Sequence, residues 1–487
     1  MQVYADERTL SYLQELQPTR TVLLLGSYIG YANFGDIVQL KGAIRFHQER
    51  TGLEPVLVCA LAAVTGPDFT AKIRRLFGVE AVLYISDEHL DASPVALSLL
   101  ATSREISHLH VYGGGFLNRF WGAMKLRWLE ALIRRFSVRA YYLSGQQIDS
   151  AFVDELGPHF AQHPPRLAGG RDRESTELLA SLGVNAAFSF DDTSEIFAGW
   201  VARAPRPTEA TKRRLIIHLN TSSYTETPHN ALARVLASCY RHFPDAPPLL
   251  LQSYNDRRYD VRDTLGTVIQ LEDEFPFFSY EVLELGRLAL CHDPTDTAVD
   301  KALEPLLAGL AVTSSYHTAM FLNMLGVPAY MLSLNDYYRQ KSAGLGVEGD
   351  LDNFLEDPRL LDFTSMHQER ERWLDMLEGA FALPLPEAPL LPESRLTEPD
   401  PSPRMFRPKG DGVAAQLEGA VAWQREQTDL WWSKAQEAQA EALEWKGRVE
   451  QLELALSELQ GRCEAVTTQL NTLWSFKNYL RFRFRKS

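Results

Sequence analysis

The sequence is short of several things, and each shortage removes a class of explanation. Its 487 residues hold four cysteines, Cys59, Cys239, Cys291 and Cys463, scattered and never paired as CxxC. That excludes a cysteine-built zinc site or a disulfide framework and fits a reducing compartment. No apolar run reaches the roughly 18 residues needed to cross a bilayer. The first residues, MQVYADERTLSYL, lack a basic stretch followed by an apolar one, so no signal peptide is expected and a cytoplasmic location is. Basic residues are outnumbered, 49 against 63, for a net charge of −14. A general nucleic-acid binder would be basic, so no nucleic-acid partner is expected. No cluster of metal-ligand types stands out, and no metal is expected.

What is present is alternation. TVLLLG (21–26), PVLVCAL (55–61), AVLYIS (81–86), HLHVYGGG (108–115) and RAYYLSG (139–145) are short apolar runs ending in Gly, Ser or polar residues. Amphipathic stretches such as FTAKIRRLFG and KLRWLEALIRRFS separate them. Uninterrupted apolar strands are buried on both faces, which means a parallel sheet covered by helices. The polar, proline-bearing segment 203–214 marks a boundary. The pattern then restarts with RLIIHLN, APPLLLQSY, TVIQL, LALCHD, LLAGLAVTSSYH and PAYMLSLND. We therefore expect an α/β protein of two doubly wound, Rossmann-like domains, residues 1–203 and 212–380. Their cleft should lie at the carboxyl ends of the strands.

A linker is expected over 381–412, with eight prolines between 384 and 408. From Trp431 to Leu473, apolar residues recur at spacings of four and three without a break, the seam of a coiled coil. A helical coiled coil over 413–473 would make the protein a homo-oligomer. The tail 474–487, with Lys477, Arg481, Arg483, Arg485 and Lys486 among aromatics, suits the surface of an anionic membrane.

The candidate chemistry sits at strand ends. After the first long apolar run comes SYIGYANFGD, where Asn33 or Asp36 is placed to cap a helix and Gly35 allows close approach. After HVY come Gly113, Gly114 and Gly115, whose amides suit an anion, with Arg119 four residues on. Gly145 and Gln146 close the next strand. Arg171 and Asp172 precede a helix for which Ser175 is a candidate cap. In the second half His317 opens an apolar helix just after a strand, behind Ser315 and Tyr316. An imidazole there can give and take a proton.

Together these pieces resemble the polysaccharide pyruvyl transferase family over roughly residues 20–375. The ordered pieces are N-x-G-D (Asn33–Asp36), the triple glycine, G-Q-x-I (Gly145–Ile148), R-D-x-x-S followed by L-x-x-L-G-V, and the His-led helix running into LGVPAYMLSLNDYYRQKSAGLG. The resemblance implies a glycosyltransferase B-like architecture. It further implies transfer of the enolpyruvyl unit of phosphoenolpyruvate onto two hydroxyls of a sugar, giving a pyruvate ketal and phosphate. By it, His317 is the general acid, Arg171 binds a donor anion, Asp36 orients or deprotonates the acceptor, and the glycine turns line the cleft. Phosphoenolpyruvate is then a substrate and no cofactor is required. The chain departs from the family at three cationic positions: Ser315 stands where an Arg precedes the His, His218 ends a strand that often ends in Arg, and Tyr337 replaces a Lys. Arg119 and Arg339 are the cations expected to compensate. The competing readings are a nucleotide-sugar glycosyltransferase and a catalytically degenerate coiled-coil assembly protein.

Overall fold

The computed structural model describes residues 1–390 except 31–32, 65–67, 88–96, 101–104, 206–213, most of 220–247, 254–280, 292–302, 308, 348 and 388–389. The chain separates into two units, residues 1–396 and 397–487. The expected coiled coil, basic tail and most of the proline linker lie outside the described residues.

The first sheet has ten strands. In chain order they are β1 (Gln2–Ala5), β2 (Thr21–Leu25), β3 (Glu54–Ala60), β4 (Ala81–Ser86) and β5 (Ser98–Leu99), followed by β6 (His108–Val111), β7 (Gly114–Leu117), β8 (Ala140–Ile148), β9 (Leu167–Gly170) and β10 (Ala186–Phe188). Their order across the sheet is β10-β9-β8-β6-β2-β3-β4-β1-β5, with β7 alongside β8. All pairings from β10 to β4 are parallel, while β1 is antiparallel to β4 and β5. The second sheet holds β11 (Leu215–His218), β12 (Leu249–Gln252), β13 (Glu281–Glu284), β14 (Leu310–Thr313) and β15 (Ala329–Met331). It is wholly parallel, in the order β13-β12-β11-β14-β15. The architecture is α/β with two doubly wound sheets.

Burial explains the uninterrupted apolar runs. Val22 and Leu24 enter one core layer of the first sheet and Leu23 and Leu25 the other, so TVLLL shows no alternation. LALCHD, expected as a strand, begins inside the helix Leu285–Cys291 instead. Leu285, Leu288 and Ala289 are buried at helical spacing there, a period that a short apolar run conceals. The helix Arg173–Ser181 is capped by Asp172, whose Oδ1 accepts from the Ser175 amide at 2.7 Å. The Ser175 hydroxyl, the expected cap, accepts the Ile148 amide of β8.

Sheet order sets the site. In the first sheet the winding reverses between β2 and β6, and in the second between β11 and β14. Where winding reverses, the connections leave in opposite directions and open a crevice at the strand ends. The four exits are Gly26–Ser27, Tyr112–Gly115, His218 and Ser314–His317.

The helix Thr364–Ala382 belongs with the first sheet, although its residues to 380 were expected in the second domain. It crosses back to lie against β9 and β10. Buried Trp373 and Leu377 hold it there. So does Arg370, 3% exposed, which donates to Asp192 Oδ1 at 2.8 Å, to the Ser189 carbonyl at 3.0 Å and to Glu195 at 2.7 Å. Asp192 Oδ2 in turn accepts from the Gly113 amide at 2.7 Å and from Ser144 Oγ at 2.6 Å. One carboxylate thus ties the returning helix to the glycine turn after β6. Removing one partner strands a buried charge. Arg370→Met should therefore cost about 3–5 kcal/mol in urea unfolding; a loss below about 1 kcal/mol would show that the tie is dispensable.

Candidate functional site

The four strand exits enclose a cavity of about 260 Å³. Its charged lining comprises Asp36, Lys125, Arg171, His317 and Lys341, with Ser27, Asn33, His218, Ser314 and Ser315 among the polar groups.

The helix Phe34–Phe46 begins at its edge. Asn33 is the cap: its Oδ1 accepts from the amides of Gly35 at 3.0 Å and Asp36 at 3.4 Å. With Asn33 satisfying those amides, the Asp36 carboxylate faces the cleft. Desolvation raises its pKa, against the opposing pull of His317, Lys125 and Lys341. Gly35 is needed for a different reason. A Cβ there would stand 2.0 Å from His317 Nδ1, so the imidazole occupies the space a side chain would take.

His317 stands on the first turn of the helix Tyr316–Met324, which Ser315 caps through Oγ to the Thr318 amide at 3.3 Å. Its Nε2 is buried and turned to Asp191 Oδ2 at 3.3 Å, off the line of a hydrogen bond. Nδ1 packs against Gly35. Asp191 has no exposed surface. Burial alone would raise its pKa, but His317, Arg171 at 3.4 Å and the Thr193 hydroxyl at 2.8 Å outweigh that and hold it well below the usual carboxylate range. Gln39 Nε2 donates to the same carboxylate at 3.1 Å. Arg171, 1% exposed, donates to Gln147 Oε1 and lies 3.8 Å from the centre of the Tyr316 ring. Arg171 Nε and the Tyr316 hydroxyl have no protein partner. Buried polar atoms left this way mark where a ligand or water completes the set.

The other glycine turns divide in role. Gly114 and Gly115 line the cavity. Gly113 (φ +28°) and Gly114 (φ +109°) adopt backbone that other residues resist. The Gly115 carbonyl accepts from Tyr337 Oη at 2.6 Å, joining the two halves across the cleft. Gly145 (φ +61°) forms an irregularity in β8, and Gln146 is buried in the sheet, donating to the carbonyls of Val111 and Ser144. Both shape the wall from behind. Arg119 pairs with Asp149 at 3.7 Å and Arg339 with Asp336 on the surface; neither lines the cavity.

Of the cations that line it, Arg171 was expected, whereas Lys125 and Lys341 went unread in the sequence. Lys341 lies four residues after Tyr337, on the same helix face, whereas Arg339 is two residues on and points away. Lys125 takes a core-facing position among Trp121, Trp128, Leu129 and Leu132, and its ammonium donates to the Gly26 carbonyl. Desolvation pushes both amines down to about 7, with Arg171 adding to the effect on Lys341. Asp191 was also missed, though FSFDDTSE places two acids at the exit of an apolar strand, the signal used elsewhere. Among the described residues no group of His, Cys, Asp and Glu is arranged to hold a metal ion. Nor is any described helix long and apolar enough to cross a membrane.

No family model matches the chain, and no curated protein matches it. Among solved structures it is similar to the UDP-GlcNAc 2-epimerase of Neisseria meningitidis, at 9% identity and a TM-score of 0.40, over 76% of this chain and 95% of that one. The epimerase of Methanocaldococcus jannaschii matches at 11% identity and a TM-score of 0.40, over 73% and 99%. MurG of Acinetobacter baumannii matches at 12% identity and a TM-score of 0.31, over 76% and 96%.

A lysine titrating at about 7 in the fold but near 10.5 when unfolded destabilises the protein increasingly as pH falls from about 10.5 to about 7. Lys341→Met should therefore raise the melting temperature at pH 7 and raise it less at pH 9.5. Equal melting curves at the two pH values would refute a desolvated amine.

Proposed function

We propose that the chain is a ketal-forming pyruvyl transferase, moving the enolpyruvyl unit of phosphoenolpyruvate onto two hydroxyls of one sugar. The supporting observation is the convergence of Arg171, Lys125 and Lys341 on one small cleft beside a histidine backed by a buried carboxylate. A donor bearing both a phosphate and a carboxylate needs several cations, and two lysines line the cleft that Ser315 and His218 also line. Charge-assisted contacts of this kind are about twice as strong as neutral ones.

The residues then take these roles. His317 gives a proton to the methylene carbon of the donor, and positive charge develops at the neighbouring carbon. Asp191, whose Oδ2 lies 3.3 Å from Nε2, orients the ring. One acceptor hydroxyl adds to that carbon while Asp36 takes its proton. The carbon–oxygen bond to phosphate breaks, Arg171 and the lysines bearing the leaving charge, and the second hydroxyl closes the ketal. Of the two hydroxyl protons, one is made good by the methyl group and the other leaves with phosphate.

The reaction is tested by phosphate release from phosphoenolpyruvate in the presence of hexose glycosides, with the ketal read by mass spectrometry. His317→Ala should lower the rate by roughly 10²–10⁴-fold; an unchanged rate in that variant would remove His317 from the acid role. Binding of the donor should also draw protons onto the lysines, since an anion raises their pKa. Affinity for phosphoenolpyruvate should accordingly fall as pH rises above about 7. Calorimetry in buffers of different ionisation enthalpy measures the uptake directly. Binding of UDP with none of phosphoenolpyruvate would favour a glycosyltransferase.

A further inference from the structure

The cavity lining is mixed in kind. Beside Arg171, His317 and Lys341 it includes the apolar side chains Ile29, Phe116, Trp121 and Met124. From Trp121 the aromatic surface continues outward to Phe120, which is 40% exposed. The Phe120 ring lies 5.7 Å from Trp121 and 6.0 Å from Tyr337, centre to centre. A lone exposed phenylalanine would be unremarked. These two rings are held in place. Asn118, fully buried, accepts from the Phe120 amide at 2.8 Å and the Trp121 amide at 2.9 Å through Oδ1. Its Nδ2 donates to the Gly115 carbonyl, the same oxygen that Tyr337 binds. The aromatic turn is therefore fixed to the glycine turn that lines the cavity.

We propose that this surface is the acceptor subsite: one pyranose ring stacks on Trp121, and the next sugar of a longer acceptor leaves over Phe120. The inference rests on the donor reading above and adds where the second substrate sits. The face of an aromatic ring is electron-rich, and the polarised C–H bonds on one side of a pyranose are its complement. A ring lying flat there keeps its hydroxyl edge free for Asp36. At about 260 Å³ the cavity is below the ~300 Å³ where pockets for drug-sized ligands begin.

The test is saturation-transfer NMR on the full chain with the methyl glycosides of glucose, galactose and mannose, and with UDP in parallel. At least one glycoside should receive saturation on its ring C–H protons. Trp121→Ala should weaken that binding roughly tenfold and Trp121→Phe should restore most of it. Thermal stabilisation by phosphoenolpyruvate, followed in the same samples, reports whether each variant keeps its fold and donor site. Silence from all three glycosides, equal signals in Trp121→Ala, or saturation of UDP alone would overturn the inference. If phosphoenolpyruvate stabilises the protein and the glycosides stay silent, the acceptor subsite fails alone. If a glycoside binds through Trp121 and phosphoenolpyruvate does nothing, the donor reading fails and the platform stands.

Discussion

The site depends on the pair of neighbouring carboxylates at the exit of β10. Asp191 turns towards Arg171 and His317, and Asp192 towards Arg370, Ser144 and the Gly113 amide. Neither is exposed to any useful degree, so each must be matched by donors or carry a heavy desolvation cost. The two lie in the turn that leads from β10 into the helix Ser194–Val201, and their side chains reach different partners. One dipeptide can thereby hold the reacting side chains and the rear of the cleft in a single register.

Much of this was legible in the residues. The apolar runs revealed both sheets because strands buried on two faces cannot hide among polar neighbours. The glycine turns and His317 were conspicuous because each closes such a run. What stayed hidden depends on helix phase or on distance in sequence. Lys341 looked like one cation among several in YYRQK, and only the helix turn separates it from Arg339. The partner of His317 lies 126 residues before it, on the other sheet, and no local spacing announces such a pair. The return of the helix Thr364–Ala382 to the first sheet was hidden for a similar reason: an amphipathic helix declares that it has a buried face, not which surface covers it.

Desolvation gives the cleft its character. A lysine brought to about 7 is held ready to charge when an anion arrives, and a carboxylate such as Asp36, raised by burial, is readier to accept a proton. Both conditions cost stability in the empty protein. They persist because Gly35 lets His317, and Gly115 lets Tyr337 and Lys341, approach the backbone more closely than a side chain there would allow.

The path of the chain carries a mechanical consequence. It leaves the first sheet after the helix Ser194–Val201, builds the second sheet, and returns through the helix Thr364–Ala382. The halves are therefore joined by two covalent crossings rather than one. A single tether permits twist, sway and separation; two restrict the halves to swinging about the line between them. Any opening of the cleft is then a one-axis motion, like a book on its spine, and the Tyr337–Gly115 bond lies among the contacts that such a motion must part.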